Sequence, residues 1–256
     1  MKSSYMKLCT EFYDITKPEA GPNEVSFYEH VIRSAKGPVL EAMCGSGRLL
    51  IPLLKKGLAV EGMDSSLYML ESLKNRCQKQ NLNAILYHEM LENLTLPKQY
   101  GLIFIAIGSF QLIHPKKNAF RALKNLLAAL IPKGQLVIET FVPWDAIHDN
   151  IQGTVLKDCS QEQKFESRAE GPNNSYIIHK SMVTFDFKSQ QEISHSRYEK
   201  WTNQSLSAFE EEEYRVYWYH RYEMELLLEK AGFNNVSIVD NSFENNPQAV
   251  IYLASR

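Results

Sequence analysis

Val39-Leu40-Glu41-Ala42-Met43-Cys44-Gly45-Ser46-Gly47 is the stretch that decides the fold of this chain. Val39 and Leu40 end a short apolar run. An acid follows, then two glycines one residue apart, then the apolar segment Leu49 to Leu58. That order reads as strand, tight turn and helix, with the turn at the carboxyl end of a parallel strand, where ligands bind in open α/β sheets. Gly45 and Gly47 let backbone N–H groups approach a ligand closely, at a helix N-terminus that carries partial positive charge. Asp64 closes the next apolar run, Ala59 to Met63, about 20 residues further on, and an acid there suits the two hydroxyls of a ribose. The pattern implies a nucleoside-containing cofactor.

Two details select the nucleoside. A dinucleotide fingerprint G-x-G-x-x-G needs a third glycine at position 50, where this chain has Leu50. Glu41 also puts a carboxylate in the turn where a pyrophosphate would sit, and two like charges in one partly dehydrated pocket repel strongly. A ligand with a cationic amine and no phosphate turns that repulsion into attraction. S-adenosylmethionine, which joins adenosine, a sulfonium, an ammonium and a carboxylate, is such a ligand. An NAD-dependent oxidoreductase is the alternative that Leu50 and Glu41 disfavour. A non-catalytic binding protein is the other.

Outward from the turn, strand and helix patterns alternate. Residues 1–36 read as helical with a break at Pro18 to Pro22. Val39 to Met43, Ala59 to Met63, Ile85 to His88, Leu102 to Ile107 and Leu136 to Phe141 read as strands. Leu49 to Lys56, Leu67 to Gln80 and the stripe Phe120, Leu123, Leu126, Leu127, Leu130 read as helices. Such alternation implies a parallel sheet with helices on both faces. The period then changes. Tyr176 to Phe187, Glu192 to Thr202 and Arg215 to Tyr219 read as extended, before a helix from Tyr222 to Ala231 stopped by Gly232 and two closing strands, Val236 to Val239 and Ala249 to Ala254. The expected fold is α/β: a Rossmann-like, doubly wound, seven-stranded, mostly parallel sheet with a small antiparallel β insert after the fifth strand. The expected division is 1–152 for an N-terminal cap and cofactor-binding core, 153–219 for the insert as a substrate roof, and 220–256 for completion of the core sheet.

With these elements in order, the chain resembles the class I S-adenosylmethionine-dependent methyltransferases. It is similar to the small-molecule branch around sugar N,N-dimethyltransferases and glycine N-methyltransferase-like enzymes. The first motif, acid-x-G-x-G-x-G, falls on Glu41 to Gly47 with Met43 in place of the first glycine. The second falls on Gly62-Met63-Asp64-Ser65-Ser66-Leu67-Tyr68-Met69-Leu70, and Leu130 to Leu136 resembles the turn before the fifth strand. The resemblance implies a cofactor site built from Tyr13 in an N-terminal cap, Glu41, Met43, Cys44, Gly45, Ser46 and Gly47 in the turn, Asp64, Ser65 and Met69 after the second strand, Glu89, Met90 and Leu91 by the adenine, and Ala106, Ile107 and Phe110 after the fourth strand. It also places Gly101 where the family often has Asp. No residue stands out as catalytic: His114, His179, His195 and His220 have no recognisable pairing, and His220 suits a structural place before its helix.

Composition narrows the partners. Charged residues make up 23% and apolar residues 44% of 256, with a net charge of −2 and no long basic block, which argues against nucleic acid. Cys9, Cys44, Cys77 and Cys159 are scattered and fit neither a metal site nor a disulfide framework, so a reducing cytoplasm is expected. The longest mostly apolar run, Leu102 to Ile113, is too short to span a bilayer. The run Glu210 to Glu213 reads as a solvated edge. A small-molecule methyl acceptor is the expected partner, with monomer and homodimer both open.

Overall fold

The computed structural model describes residues 5–152, 160–239 and 249–256. Two compact units emerge, one made of residues 1–18 with 143–217 and the other of 19–142 with 218–256.

The larger unit holds a seven-stranded sheet. Its strands are β1 (Val39–Ala42), β2 (Val60–Asp64), β3 (Leu86–His88), β4 (Tyr100–Ile105), β5 (Leu130–Phe141), β10 (Asn234–Val239) and β11 (Ala249–Ser255), in spatial order β10-β11-β5-β4-β1-β2-β3. β1 to β5 run parallel, and β11 lies antiparallel to β5. Every residue of β1 and β4 is buried. A central parallel strand covered on both faces requires that, and it explains the near-continuous apolar reading of these segments.

The helices follow their caps and stripes. α2 (Pro22–Ser34) starts on a proline, α3 (Leu50–Lys55) carries Pro52 inside its first turn, and α4 (Leu67–Lys79) is capped by Ser66, whose hydroxyl accepts from the Met69 amide at 3.3 Å. On α5 (Lys117–Ala129) the buried face is Ala119, Ala122, Leu123 and Leu126. It is turned from the expected stripe: Phe120 is only half-buried, with the ammonium groups of Lys124 and Lys230 over its ring. α7 (Arg221–Ala231) ends on Gly232 at φ +104°, the left-handed cap the sequence suggested. At its start the His220 amide donates to Glu223 Oε2 and the His220 side chain accepts from the Glu223 amide, a capping box.

The smaller unit is a four-stranded antiparallel meander, β6 (Ser160–Glu170), β7 (Ser175–Asp186), β8 (Gln191–Thr202) and β9 (Ser205–Tyr217), with helices α1 (Lys7–Thr16) and α6 (Trp144–Gln152). The β8–β9 turn has Asn203 at φ +49° and Gln204 at φ +63°, the paired left-handed geometry of a two-residue hairpin. Leu8 and Cys9 of α1 pack on Ile177 and Tyr198 of the sheet.

Three expectations need correction. β6 and α6 were not foreseen, and β9 starts at Ser205 rather than Arg215. The run Glu210 to Glu213 is not simply a solvated edge. Alternation along β9 sends its members to opposite faces. Glu210 Oε2 accepts from the Leu8 amide at 2.6 Å and Glu212 Oε2 from the Tyr5 amide at 2.7 Å, so both acids serve the start of α1. Glu211 pairs with Arg197 and Glu213 with Arg215. The expected insert boundary at 153 and Cys159 lie outside the described residues.

Candidate functional site

Strand order reverses between β1 and β4, and in open α/β sheets ligands bind outside the carboxyl ends of the strands at such a reversal. Glu41 pairs with Gly62 of β2 and Phe104 of β4, so the turns after these three strands leave the sheet at one edge.

The turn after β1 is tightly wound. Met43 has φ +60°, Gly45 +55° and Gly47 +85°. Met43 thus takes a glycine-like backbone conformation at the position where the motif has glycine, at a cost of about 1 kcal/mol. A side chain at Gly47 would collide with Leu73 of α4, so this glycine also lets helix and turn pack together. Both glycine amides are engaged within the protein. The Gly45 amide donates to Asp64 Oδ2 at 2.8 Å, and the Gly47 amide to the Cys44 carbonyl at 3.1 Å. Ser46 is fully buried, and its carbonyl accepts from Arg76 at 2.8 Å.

Asp64 is the hinge between the first two turns. Its second oxygen accepts from the Ser66 amide at 2.8 Å, while its main-chain carbonyl accepts from the Glu89 amide at 3.1 Å. One residue thereby joins the ends of β1, β2 and β3. Burial raises its carboxyl pKa, opposed by the amides of Ser66, Gly45 and Ser65. With about four acceptor sites on its two oxygens, the carboxylate keeps capacity for another donor such as a hydroxyl.

Glu41 is buried, and its Oε2 has no hydrogen-bond partner in the structure. Burial drives its pKa well up, with Arg48 pulling the other way and Glu24 and Asp64 adding to the rise. Arg48 is paired with buried Glu24. Tyr28, fully buried against Phe104, feels the charges of Glu139, Glu24 and Glu41. The sequence reading missed Glu24, Arg48 and Glu139. Only the place of Arg48 next to Gly47 could have signalled any of them.

Of the remaining expected residues, Met69 and Leu91 are buried while Met90 is exposed, Ser65 is exposed and Glu89 half-buried. Cys44 and Ala106 are buried beside the turns, and Ile107 is 41% exposed. Phe110 is fully buried against the Tyr219 ring, 6.0 Å between centroids. Tyr13 belongs to α1 in the smaller unit. Gly101 has its own reason: a side chain there would fall on the Lys36 carbonyl, so the backbone passes where an Asp could not fit. Among the described residues no group of three or more His, Cys, Asp or Glu is placed to hold a metal. No helix among them is long and apolar enough to cross a membrane.

Comparison with known proteins agrees with this geometry. Residues 39–134 match the family model of the methyltransferase domain. The ubiquinone biosynthesis O-methyltransferase of Coxiella burnetii is 27% identical over 164 residues, 64% of this chain and 66% of that protein. A putative methyltransferase of Bacillus subtilis is 27% identical over 104 residues, 41% of this chain and 42% of its own. The matched part of the chain thus spans 42% to 66% of the length of these curated relatives. An S-adenosylmethionine-dependent methyltransferase from Clostridium acetobutylicum superposes with a TM-score of 0.72 at 15% identity over 99% of each chain. A sugar N-methyltransferase from a Streptoalloteichus species gives 0.72 at 13% identity, covering 100% of this chain and 96% of that one. These likenesses show that the fold is that of the class I methyltransferases.

Proposed function

We propose that this chain, which carries a class I methyltransferase domain, transfers the methyl group of S-adenosylmethionine to a small-molecule acceptor, with nitrogen favoured over oxygen. The observation that carries the reading is the buried, unpartnered Oε2 of Glu41 beside the glycine turn. Ionising a buried carboxyl with no partner is costly, and a cationic ligand group offsets that cost. Glu41 suits the cofactor's ammonium, and Asp64 suits its ribose hydroxyls through the lone pairs its amide donors leave open. Cys44, Gly45, Ser46 and Gly47 shape the turn around the ligand. Met43, Ser65, Met69, Glu89, Met90, Leu91, Ala106, Ile107 and Phe110 are assigned to the same cofactor site, and Tyr13 joins them by family resemblance. Bound there, the cofactor supplies an electrophilic methyl group. The acceptor's lone pair takes it as the carbon–sulfur bond breaks, and S-adenosylhomocysteine remains. The protein's part is to align the partners and exclude water.

Acceptor recognition is assigned to the antiparallel unit. The chain leaves β5 at Phe141, the carboxyl end of a parallel strand, and runs from there into that unit. Nitrogen is favoured because an amine needs only to lose a proton, whereas a hydroxyl acceptor would want a general base and no residue of the sequence stands out as one. Likeness to a sugar N-methyltransferase supports the same choice. Likeness to a ubiquinone biosynthesis O-methyltransferase supports an oxygen acceptor as the second reading. The test is to incubate the protein with S-adenosylmethionine and a panel of amino sugars, other amines and phenols, and to follow S-adenosylhomocysteine release with product mass. Methylated amines are expected. Methylated phenols only would favour the second reading. Cofactor binding without product on any acceptor would leave a binding protein, and binding of NAD in its place an oxidoreductase.

A further inference from the structure

The turn that follows β4 is held in a shape its sequence resists. Ile107 has φ +46°, a left-handed conformation that a β-branched side chain adopts only under constraint. Gly108 follows at φ +70°, and a side chain there would press on the Phe141 ring and the Gln111 amide.

Two side chains fasten this turn to β5. Glu139, buried in mid-strand, accepts from the Ile107 amide at 2.9 Å through Oε2. Gln111 donates to the Phe141 carbonyl at 2.9 Å and accepts from the Phe141 amide at 2.7 Å. The Gln111 pair fixes the far end of the turn, while Glu139 fixes the strained residue itself. A carboxylate buried in a central strand is expensive, and so is a left-handed isoleucine. Here each is tied to the other, at the strand ends where ligands bind in such sheets. Strain kept at such a place is a mark of geometry that matters to the ligand.

We infer that Glu139 is a positioning residue for methyl transfer: by accepting the Ile107 amide it locks the strained 106–108 turn into the wall that aligns the cofactor's methyl end with the acceptor. This rests on the proposed methyltransferase reading. Ile107 touches the reactants in this account, whereas Glu139 acts through it. Glutamine at 139 keeps an acceptor oxygen for the amide, while alanine removes it.

The experiment compares Glu139→Ala and Glu139→Gln with the unmodified protein. It reads kcat and KM on an acceptor found by the panel, S-adenosylhomocysteine affinity by calorimetry, and hydrogen exchange of the peptide containing residues 106–111. Glu139→Ala should speed exchange in that peptide and lower kcat about 10- to 100-fold, with cofactor affinity changed less than about threefold. Glu139→Gln should restore slow exchange and most of kcat. Faster exchange with unchanged kcat overturns the inference and leaves the methyltransferase reading standing. So does a glutamine variant as impaired as alanine, which would mean that charge rather than the amide bond matters. Parallel loss of kcat and cofactor affinity also overturns it. If alanine at 139 does not fold, a glutamine variant with slow exchange and near-normal kcat supports the account, and one with fast exchange or low kcat contradicts it. If the unmodified protein binds no S-adenosylhomocysteine, the methyltransferase reading falls and this inference falls with it.

Discussion

Asp64 shows how much one side chain can hold. Its carboxylate takes the amides of Gly45 and Ser66, and its carbonyl takes that of Glu89. Asp64→Ala therefore leaves two amides without their acceptor and removes the proposed ribose contact. Cofactor affinity should fall by roughly 2–4 kcal/mol, and stability by about 1–3 kcal/mol, because the loss is of charge-assisted bonds. Calorimetry with S-adenosylhomocysteine and a denaturant titration check both. An affinity within twofold of the unmodified protein would put the ribose elsewhere. At this scale the sequence was a partial guide. Spacing and chemistry pick out Glu41, Gly45 and Asp64, but nothing in a sequence says whether an amide next to a glycine is free or already bonded. Glu139 was hidden for a similar reason. It reads as one acid in an apolar strand, and its partner is a backbone N–H 32 positions away.

At the scale of elements, Gly101 makes the sharpest case. It lies in β4, and a methyl group there would fall on the Lys36 carbonyl of the segment leading into β1. The obstacle is backbone, so no rotamer change can relieve it. Gly101→Ala should destabilise the fold by roughly 2–4 kcal/mol in a denaturant titration, while whatever protein remains folded keeps its cofactor affinity. A fully stable Gly101→Ala variant would contradict the close approach. The core strands were legible because burial on both faces leaves an apolar run that periodicity detects. β6 was not. Gln163, Lys164, Glu166, Ser167, Arg168 and Glu170 dominate its sequence, and only pairing along β7 makes it a strand. The part of β9 before Arg215 was masked by its four consecutive acids, whose alternation becomes meaningful only once α1 is in place against alternate members.

On the scale of the whole molecule, the account rests on a distribution of charge more than on a motif. The larger unit buries Glu24, Glu41 and Glu139, with Arg48 as the cation beside the first two. With Glu41 ionised, such a region repels a dinucleotide's phosphates and draws a cation. The sign of the pH dependence follows. The carboxyl pKa of Glu41 is raised by burial first, so in the empty protein this group tends to keep its proton. A cationic ligand needs it ionised, so binding releases that proton and is favoured as pH rises, until Glu41 is ionised without help. The most direct measurement is therefore titration calorimetry of S-adenosylmethionine and of NAD from mildly acid to mildly alkaline pH, in buffers of different ionisation enthalpy. The account predicts that S-adenosylmethionine binds with proton release and gains affinity as pH rises, while NAD gives no heat of binding. Binding of NAD with no response to S-adenosylmethionine would contradict it.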